Sequence, residues 1–266
     1  MKYAIFVLSL SMALPAGLMG QQHNLQMLVP PAVSVYGQKG GDIAFAAARL
    51  HGPRVNVDGI DFNTVYVDRR SSSTWRSFTA GAALLGALGK DTFLLGGVKK
   101  NVVGMSLHMT GSRHYLRGGG EYPRWTLLAG VAASFGKYSI CRGTKEEGSF
   151  YNLLVGPQGG VTLNYRAGDF AVAPSLTAGL MGGYSEKYKG GEYWSNMSSG
   201  GVSPFAVLTA ALDLAYLPRE VKLATAYQRY FSNGKERAMD SLTFQFSIGW
   251  GGLHPNSNTT PAKTAV

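Results

Sequence analysis

The stretch DSLTFQFSIGW, residues 240–250, decides the fold because its side chains alternate strictly in character. Large apolar residues occupy every second position from Leu242 to Trp250, and Ser, Thr, Gln and Gly occupy the positions between them. Successive side chains of a strand point to opposite faces, so this strand has one apolar face and one small polar face. Such a strand suits a position between lipid on one side and a wet lumen on the other.

Five earlier segments repeat this design. They predict strands at residues 124–136, 149–165, 170–184, 203–216 and 220–231. About four further strands are expected before Tyr122, where the alternation is less regular. The sequence therefore predicts an all-β fold, an antiparallel transmembrane β-barrel of about ten strands, with eight or twelve as the neighbouring counts. A competing interpretation makes residues 78–98 one membrane helix, but that helix would enclose Lys90, Asp91 and several glycines.

The connections between these segments alternate in length. Residues 166–169 and 217–219 are tight turns, whereas residues 137–148 and 185–202 are long polar loops and 232–239 is intermediate. Outer-membrane barrels have short periplasmic turns and longer external loops, so this rhythm favours that class over a soluble β-sandwich. The expected location is the outer membrane of a Gram-negative bacterium.

The amino-acid composition agrees with a membrane barrel and indicates which classes of partner the protein binds. Only 15% of the 266 residues are charged, against about 25% in typical globular proteins. The net charge of +10 comes from Lys and Arg that are scattered along the chain. We therefore expect attraction to the lipid bilayer and no specific nucleic-acid binding. The single cysteine, Cys141, excludes a disulfide within the chain.

The chain divides into four expected parts. Residues 1–20 have a positive start and a short apolar run, which predicts a signal peptide, with a membrane anchor as the alternative. Residues 21–53 are a lead-in, a first strand or a small lumenal plug. Residues 54–251 are the barrel, and residues 252–266 are a polar C-terminal tail.

One predicted strand carries the side chains that are most suited to catalysis. Ser106, His108, Thr110, Ser112 and His114 share one face. A Ser–His pair there would suit a lipid-modifying hydrolase with histidine as the base. Such an enzyme also needs an acidic residue to orient the histidine, and the sequence has no strong G-x-S-x-G elbow. A polar ladder inside the lumen is the favoured interpretation, so the protein is predicted not to be an enzyme. The two histidines stand about 20 Å apart along a strand, and neither a metal site nor a cofactor is expected.

The longest loop is the candidate binding surface. Tyr188, Tyr193 and Trp194 lie there among charged residues. Exposed aromatic side chains among charges favour contact with another protein or a glycan. An aromatic belt at the level of the lipid headgroups is the alternative interpretation.

The last third of the sequence resembles a known family. The runs Leu217–Leu223, Gln228–Gly234 and Phe244–Trp250, together with the glycine-rich Gly179–Tyr184, are similar to the end of the TraO-type conjugative-transfer proteins of Bacteroidetes mobile elements. The resemblance covers residues 125–251 and not the N-terminal third. It implies an exported outer-membrane β-barrel that works with conjugation-machinery proteins, and it implies no catalytic residue.

Three functions remain open from the sequence. The first is a structural or interaction component of an envelope assembly, with the conjugative transfer apparatus as the specific assembly. The second is a small passive pore, which requires an open lumen. The third is the lipid-modifying hydrolase.

Overall fold

The computed structural model describes residues 40–51, 55–69, 73–86, 92–95, 98–117, 124–142, 145–188, 202–232 and 239–250. Within these ranges the chain forms twelve strands and one 3-10 turn, Leu217–Arg219. The strands are β1 (Gly40–His51), β2 (Val55–Arg69), β3 (Thr74–Leu85), β4 (Thr92–Leu95), β5 (Val98–Arg117), β6 (Trp125–Arg142), β7 (Lys145–Leu163), β8 (Tyr165–Ala167), β9 (Phe170–Tyr188), β10 (Val202–Tyr216), β11 (Val221–Ser232) and β12 (Met239–Trp250). No helix in this described part is long and apolar enough to cross a membrane.

Ten of these described strands close into a ring. Each strand pairs antiparallel with its neighbour in the order β1, β2, β3, β5, β6, β7, β9, β10, β11 and β12. The seam lies between β12 and β1, where Gly41 opposes Trp250 and His51 opposes Asp240. The short β4 pairs with β2 and β5, and the short β8 pairs with β9, so neither adds a strand to the ring. The predicted antiparallel barrel of about ten strands is confirmed.

The two faces of the barrel wall have opposite character, as the alternation predicts. In β12, Leu242, Phe244, Phe246 and Ile248 are exposed on the outside, while Ser241, Thr243 and Ser247 are buried. The other ring strands follow the same rule, with large apolar side chains exposed on one face. Exposed apolar side chains around a closed barrel are satisfied by lipid and not by water. The protein is an outer-membrane β-barrel of a Gram-negative bacterium.

The inward faces are buried and contain both polar and apolar side chains. Leu128, Leu154 and Met181, which the alternation places in the lumen, are all buried. The largest side chains that are almost fully buried include Trp75 and Tyr138. The lumen wall of the described residues is therefore shielded from solvent.

The ring begins with β1, which lies inside residues 21–53, where a first strand is one of the expected alternatives. One feature of the strands differs from the sequence-based expectation. The expected long loop at residues 137–148 is wrong, because β6 continues to Arg142 and β7 begins at Lys145. This paired extension carries a register shift at Ile140/Cys141. Charged residues do not end a hairpin whose backbone groups can still pair with each other.

The two ends of the barrel are distinguishable. Gly40 and Trp250 lie at one end, which we call the lower end, because β1 and β12 pair antiparallel over their whole length. The turn at Gly168, with a φ of 60°, and the 3-10 turn Leu217–Arg219 lie at this end too. Short turns mark the periplasmic side of outer-membrane barrels, so the lower end faces the periplasm. The expected signal peptide and C-terminal tail lie outside the described residues.

Candidate functional site

Of the predicted binding surface, the structure describes the backbone of Tyr188. This residue is the last of β9, and its backbone pairs with Ser149 of β7. Tyr193 and Trp194 lie outside the described residues, in the connection from β9 to β10. The expectation of an aromatic contact surface there remains a prediction.

The Ser and His face of β5 points into the barrel. Ser106, His108, Thr110, Ser112 and His114 are all buried, each exposed by 8% or less. Burial of hydroxyl and imidazole groups away from water is unfavourable unless they find partners within the protein. The nearby strands β2 and β3 supply polar contacts for the two histidines.

His108 meets a carboxylate from β2. Its Nε2 atom lies 3.1 Å from Oδ1 of Asp61, and both side chains are 5% exposed or less. The two groups are close but are not aligned as a hydrogen bond. The Nδ2 of Asn63 donates to the other oxygen of Asp61 at 3.0 Å. On the strand between them, Gly81 leaves the space that the imidazole occupies, since a Cβ there would lie only 2.6 Å from the Cβ of Asn63 and also collide with the His108 ring.

His114 has a different partner. Its Nε2 atom lies 2.7 Å from the Oγ of Ser77, which is buried on β3. A nucleophilic serine needs a base that is in turn oriented by a third group, usually a carboxylate. Here the carboxylate of Asp61 accompanies one histidine and the serine accompanies the other. The described residues therefore hold two separate polar pairs in the place where a hydrolase would need one triad.

A second polar group lies on the lumen face of β10 and β11. The amide of Gln228 donates to the Oγ1 of Thr209 at 3.2 Å and accepts from the hydroxyl of Tyr230 at 3.1 Å. Both Gln228 and Tyr230 are almost completely buried. This chain of hydrogen bonds joins neighbouring strands and holds the Tyr230 ring inside the barrel.

An ion pair crosses the seam at the lower end. The ammonium of Lys222 on β11 contacts the carboxylate of Asp42 on β1, with β12 between the two strands. Gly249 on β12 opposes Asp42, and a Cβ at this position would lie 2.8 Å from the carboxylate. The absence of a side chain at Gly249 thus lets the ion pair bridge the seam.

Glycines also make room for the largest inward side chain of β6. Tyr138 lies against Gly104 and Gly136, and a Cβ at either position would collide with its ring. An aromatic ring that covers strand glycines shields their backbone and adds packing that glycine itself cannot supply. The ring therefore occupies lumen volume that a pore would need to keep open.

Sequence reasoning found the histidines and missed their partners. Asp61 and Asn63 alternate with the outward Phe62 and Thr64. That parity is the signal that predicts two inward polar residues on β2. No comparable signal exists for Asp42 and Lys222, because they are separated by 180 positions.

The described residues contain no group of three or more His, Cys, Asp or Glu side chains that would hold a metal ion. Cys141, of intermediate burial near the upper end of β6, is not part of a disulfide bond.

The sequence matches no protein-family model and no curated protein. Several solved structures are similar in fold. The translocator domain of the autotransporter NalP from Neisseria meningitidis has a TM-score of 0.47 and 14% identity, over 79% of this chain and 88% of that one. The outer membrane protease OmpT from Escherichia coli has a TM-score of 0.46 and 10% identity, over 80% and 94%. Ail, the attachment invasion locus protein of Yersinia pestis, has a TM-score of 0.34 and 12% identity, over 81% and 100%.

Proposed function

We propose that this barrel is a non-enzymatic structural or interaction component of an envelope assembly, and that the assembly is a conjugative transfer apparatus. The observation that carries the first part is the shielded lumen wall. Four large inward side chains, Trp75, Tyr138, Leu154 and Met181, are each 2% exposed or less. A passive pore needs a wall that water and ions can reach. A barrel with a shielded lumen instead offers its rim and loops for contact with other proteins.

The polar pairs favour the same interpretation over a hydrolase. Ser77 and His114 are buried together, and the lumen gives a lipid substrate no access to the hydroxyl. Buried polar contacts between strands, such as those of His108 with Asp61 and of His114 with Ser77, hold the strands in register. We therefore assign His108 and His114 to the architecture of the barrel.

Planar-bilayer recordings test the closed lumen. The purified protein is expected to insert without producing conductance steps. A matched control replaces three large inward residues by alanine, Trp75→Ala, Tyr138→Ala and Tyr230→Ala, and is expected to conduct if it still folds. Steady conductance of the unmodified protein would support the pore instead.

Mating assays test the conjugation part separately. Deletion of the gene from a donor strain is expected to reduce transfer at least tenfold, and the intact gene is expected to restore it. A Tyr193→Ser/Trp194→Ser variant is expected to fold into the barrel but not to restore transfer in the deletion strain. If the deletion leaves transfer unchanged, the assembly is a different one and the closed barrel stands.

A further inference from the structure

Two arginines face each other on the outer wall near the lower end. Arg76 on β3 pairs directly with Arg113 on β5, and both side chains are exposed on the lipid-facing side. Side chains in such a pair have Cβ atoms about 5 Å apart, and like charges at this distance destabilise a sheet. The position therefore calls for an anion that lies between the two guanidinium groups.

The protein supplies little of that negative charge itself. Asp68 on β2 opposes Arg76 on its other side, so one carboxylate accompanies two guanidinium groups in this row. Beyond Arg113, the next residue in the row is Ala129 on β6. Among the described residues, neither arginine forms an ion pair. The row thus carries one uncompensated positive charge.

Two outward arginines at the upper end, in contrast, lie close to carboxylates. Arg49 lies 3.6 Å from Asp58, and Arg229 lies 3.9 Å from Asp240. Each of these arginines has its own carboxylate on a neighbouring strand. An unneutralised arginine pair is therefore a local feature of the β3–β5 position and not a general property of the barrel's rims.

An open strip of wall lies directly above the arginine pair. Gly111 follows Arg113 on the outward face of β5, and a Cβ added there would meet nothing within 4 Å. Its partner Phe78 borders the strip on β3, and Ala80 continues the strip toward the middle of the membrane. Below the pair, the outward Tyr115 adds a phenol at the level of the headgroups. The wall thus combines a cationic end with an apolar strip that includes Gly111 and Ala80.

We propose that Arg76 and Arg113 bind the phosphate of an anionic phospholipid in the periplasmic leaflet, with one acyl chain lying along Gly111 and Ala80. Guanidinium groups bind phosphate oxygens in a bidentate manner, and two of them balance the phosphate charge better than one. The lower end faces the periplasm, so the ligand comes from the phospholipid leaflet. This inference rests on the membrane location and is independent of the proposed conjugation role.

Lipid retention tests this site. The full chain is folded into vesicles of phosphatidylcholine with one fifth phosphatidylglycerol, extracted into mild detergent, and weighed by native mass spectrometry. The unmodified protein is expected to retain one phosphatidylglycerol molecule. Arg113→Gln is expected to retain at least fivefold less, whereas Arg229→Gln, the matched change at the upper end, is expected to retain as much as the unmodified protein. Equal loss in both variants would mean that only general charge attracts the lipid, and would overturn the site.

A second variant tests the strip without touching a charge. Gly111→Leu fills the open space, and a heat-modifiable gel shift checks that the barrel still folds. It is expected to reduce phosphatidylglycerol retention at least threefold if the acyl chain lies there. Inorganic phosphate at millimolar concentration should not displace the lipid, and displacement would show a simple phosphate site. Full retention by Gly111→Leu would refute the acyl-chain part, and full retention by folded Arg113→Lys and Arg113→Gln would refute the whole site.

Discussion

The lumen faces of β1 and β5 belong to one wall, yet they are built from opposite chemistry. The inward face of β1 is aliphatic from Ala44 to Leu50, whereas the inward face of β5 is hydroxyl and imidazole from Ser106 to His114. All of these side chains are buried to a similar degree. Burial requires nothing of a methyl group, but it requires a partner for each hydroxyl and imidazole.

This difference indicates which interactions hold each strand in its place in the barrel. β5 makes two polar contacts with nearby strands, His108 with Asp61 of β2 and His114 with Ser77 of β3. β1 has no such contact between Asp42 and Leu50 on its lumen face within the described structure, and it depends on close packing there. We expect substitutions on β5 to act through lost partners and substitutions on β1 to act through volume.

The largest effect is expected when the β5 histidine loses its carboxylate. Asp61→Ala removes the group that contacts both His108 and Asn63, and leaves two buried polar side chains without a partner. The free energy of unfolding is expected to fall by about 3 kcal/mol. Urea unfolding in lipid vesicles, followed by tryptophan fluorescence and by the heat-modifiable gel shift, measures this change.

The same substitution on the outside of β2 is the matched control. Asp58 pairs with Arg49 at 3.6 Å, and the arginine is well exposed. Because exposed ion pairs contribute little, Asp58→Ala is expected to change the free energy of unfolding by about 0.5 kcal/mol or less. Similar losses from the two variants would mean that the buried pair does not stabilise the lumen wall of β5.

A smaller effect is expected from added volume on β1. Ala46→Leu inserts three carbon atoms into a buried position, and overpacking of this kind costs about 1–3 kcal/mol. The adjacent Ala47 faces outward and is exposed, so Ala47→Leu is expected to be neutral or slightly stabilising in lipid. Equal stability of the two leucine variants would show that the lumen beside β1 has spare room, and would remove packing as the basis of this face.

The same comparison explains what the sequence could predict about the fold. The faces of β12 can be predicted because large apolar and small polar side chains alternate strictly along it, and residues 105–110 of β5 alternate in the same way. β1 is not, because alanine occupies inward positions such as Ala46 and outward positions such as Ala47. A residue that suits either face carries no information about parity. For this reason a first strand is only one of the alternatives expected for residues 21–53, where β1 lies, although the strand count could be predicted.

The candidate site, too, could be predicted from the sequence only in part. Periodicity alone placed His108 and His114 on one inward face, since facing direction is a local property of a strand. Which side chain meets which histidine depends on the register between strands, and a single sequence does not encode register in any readable form. The contact of Lys222 with Asp42 depends in addition on closure of the barrel at the seam. The role of Tyr193 and Trp194 as a contact surface remains a prediction, which the mating assay tests.

The smallest change in the free energy of unfolding is expected from a substitution at a β5 hydroxyl that forms no hydrogen bond. The Oγ1 of Thr110 is buried and has no hydrogen-bond partner, whereas the Oγ of Ser77 is bonded to His114. Thr110→Val keeps the shape and removes a desolvated polar group, so the free energy of unfolding is expected to stay within about 0.5 kcal/mol or to rise. Ser77→Ala is expected to lower it by about 1 kcal/mol, because His114 loses its partner. If Thr110→Val destabilised the barrel as much as Ser77→Ala does, polarity itself and not pairing would distinguish β5 from β1.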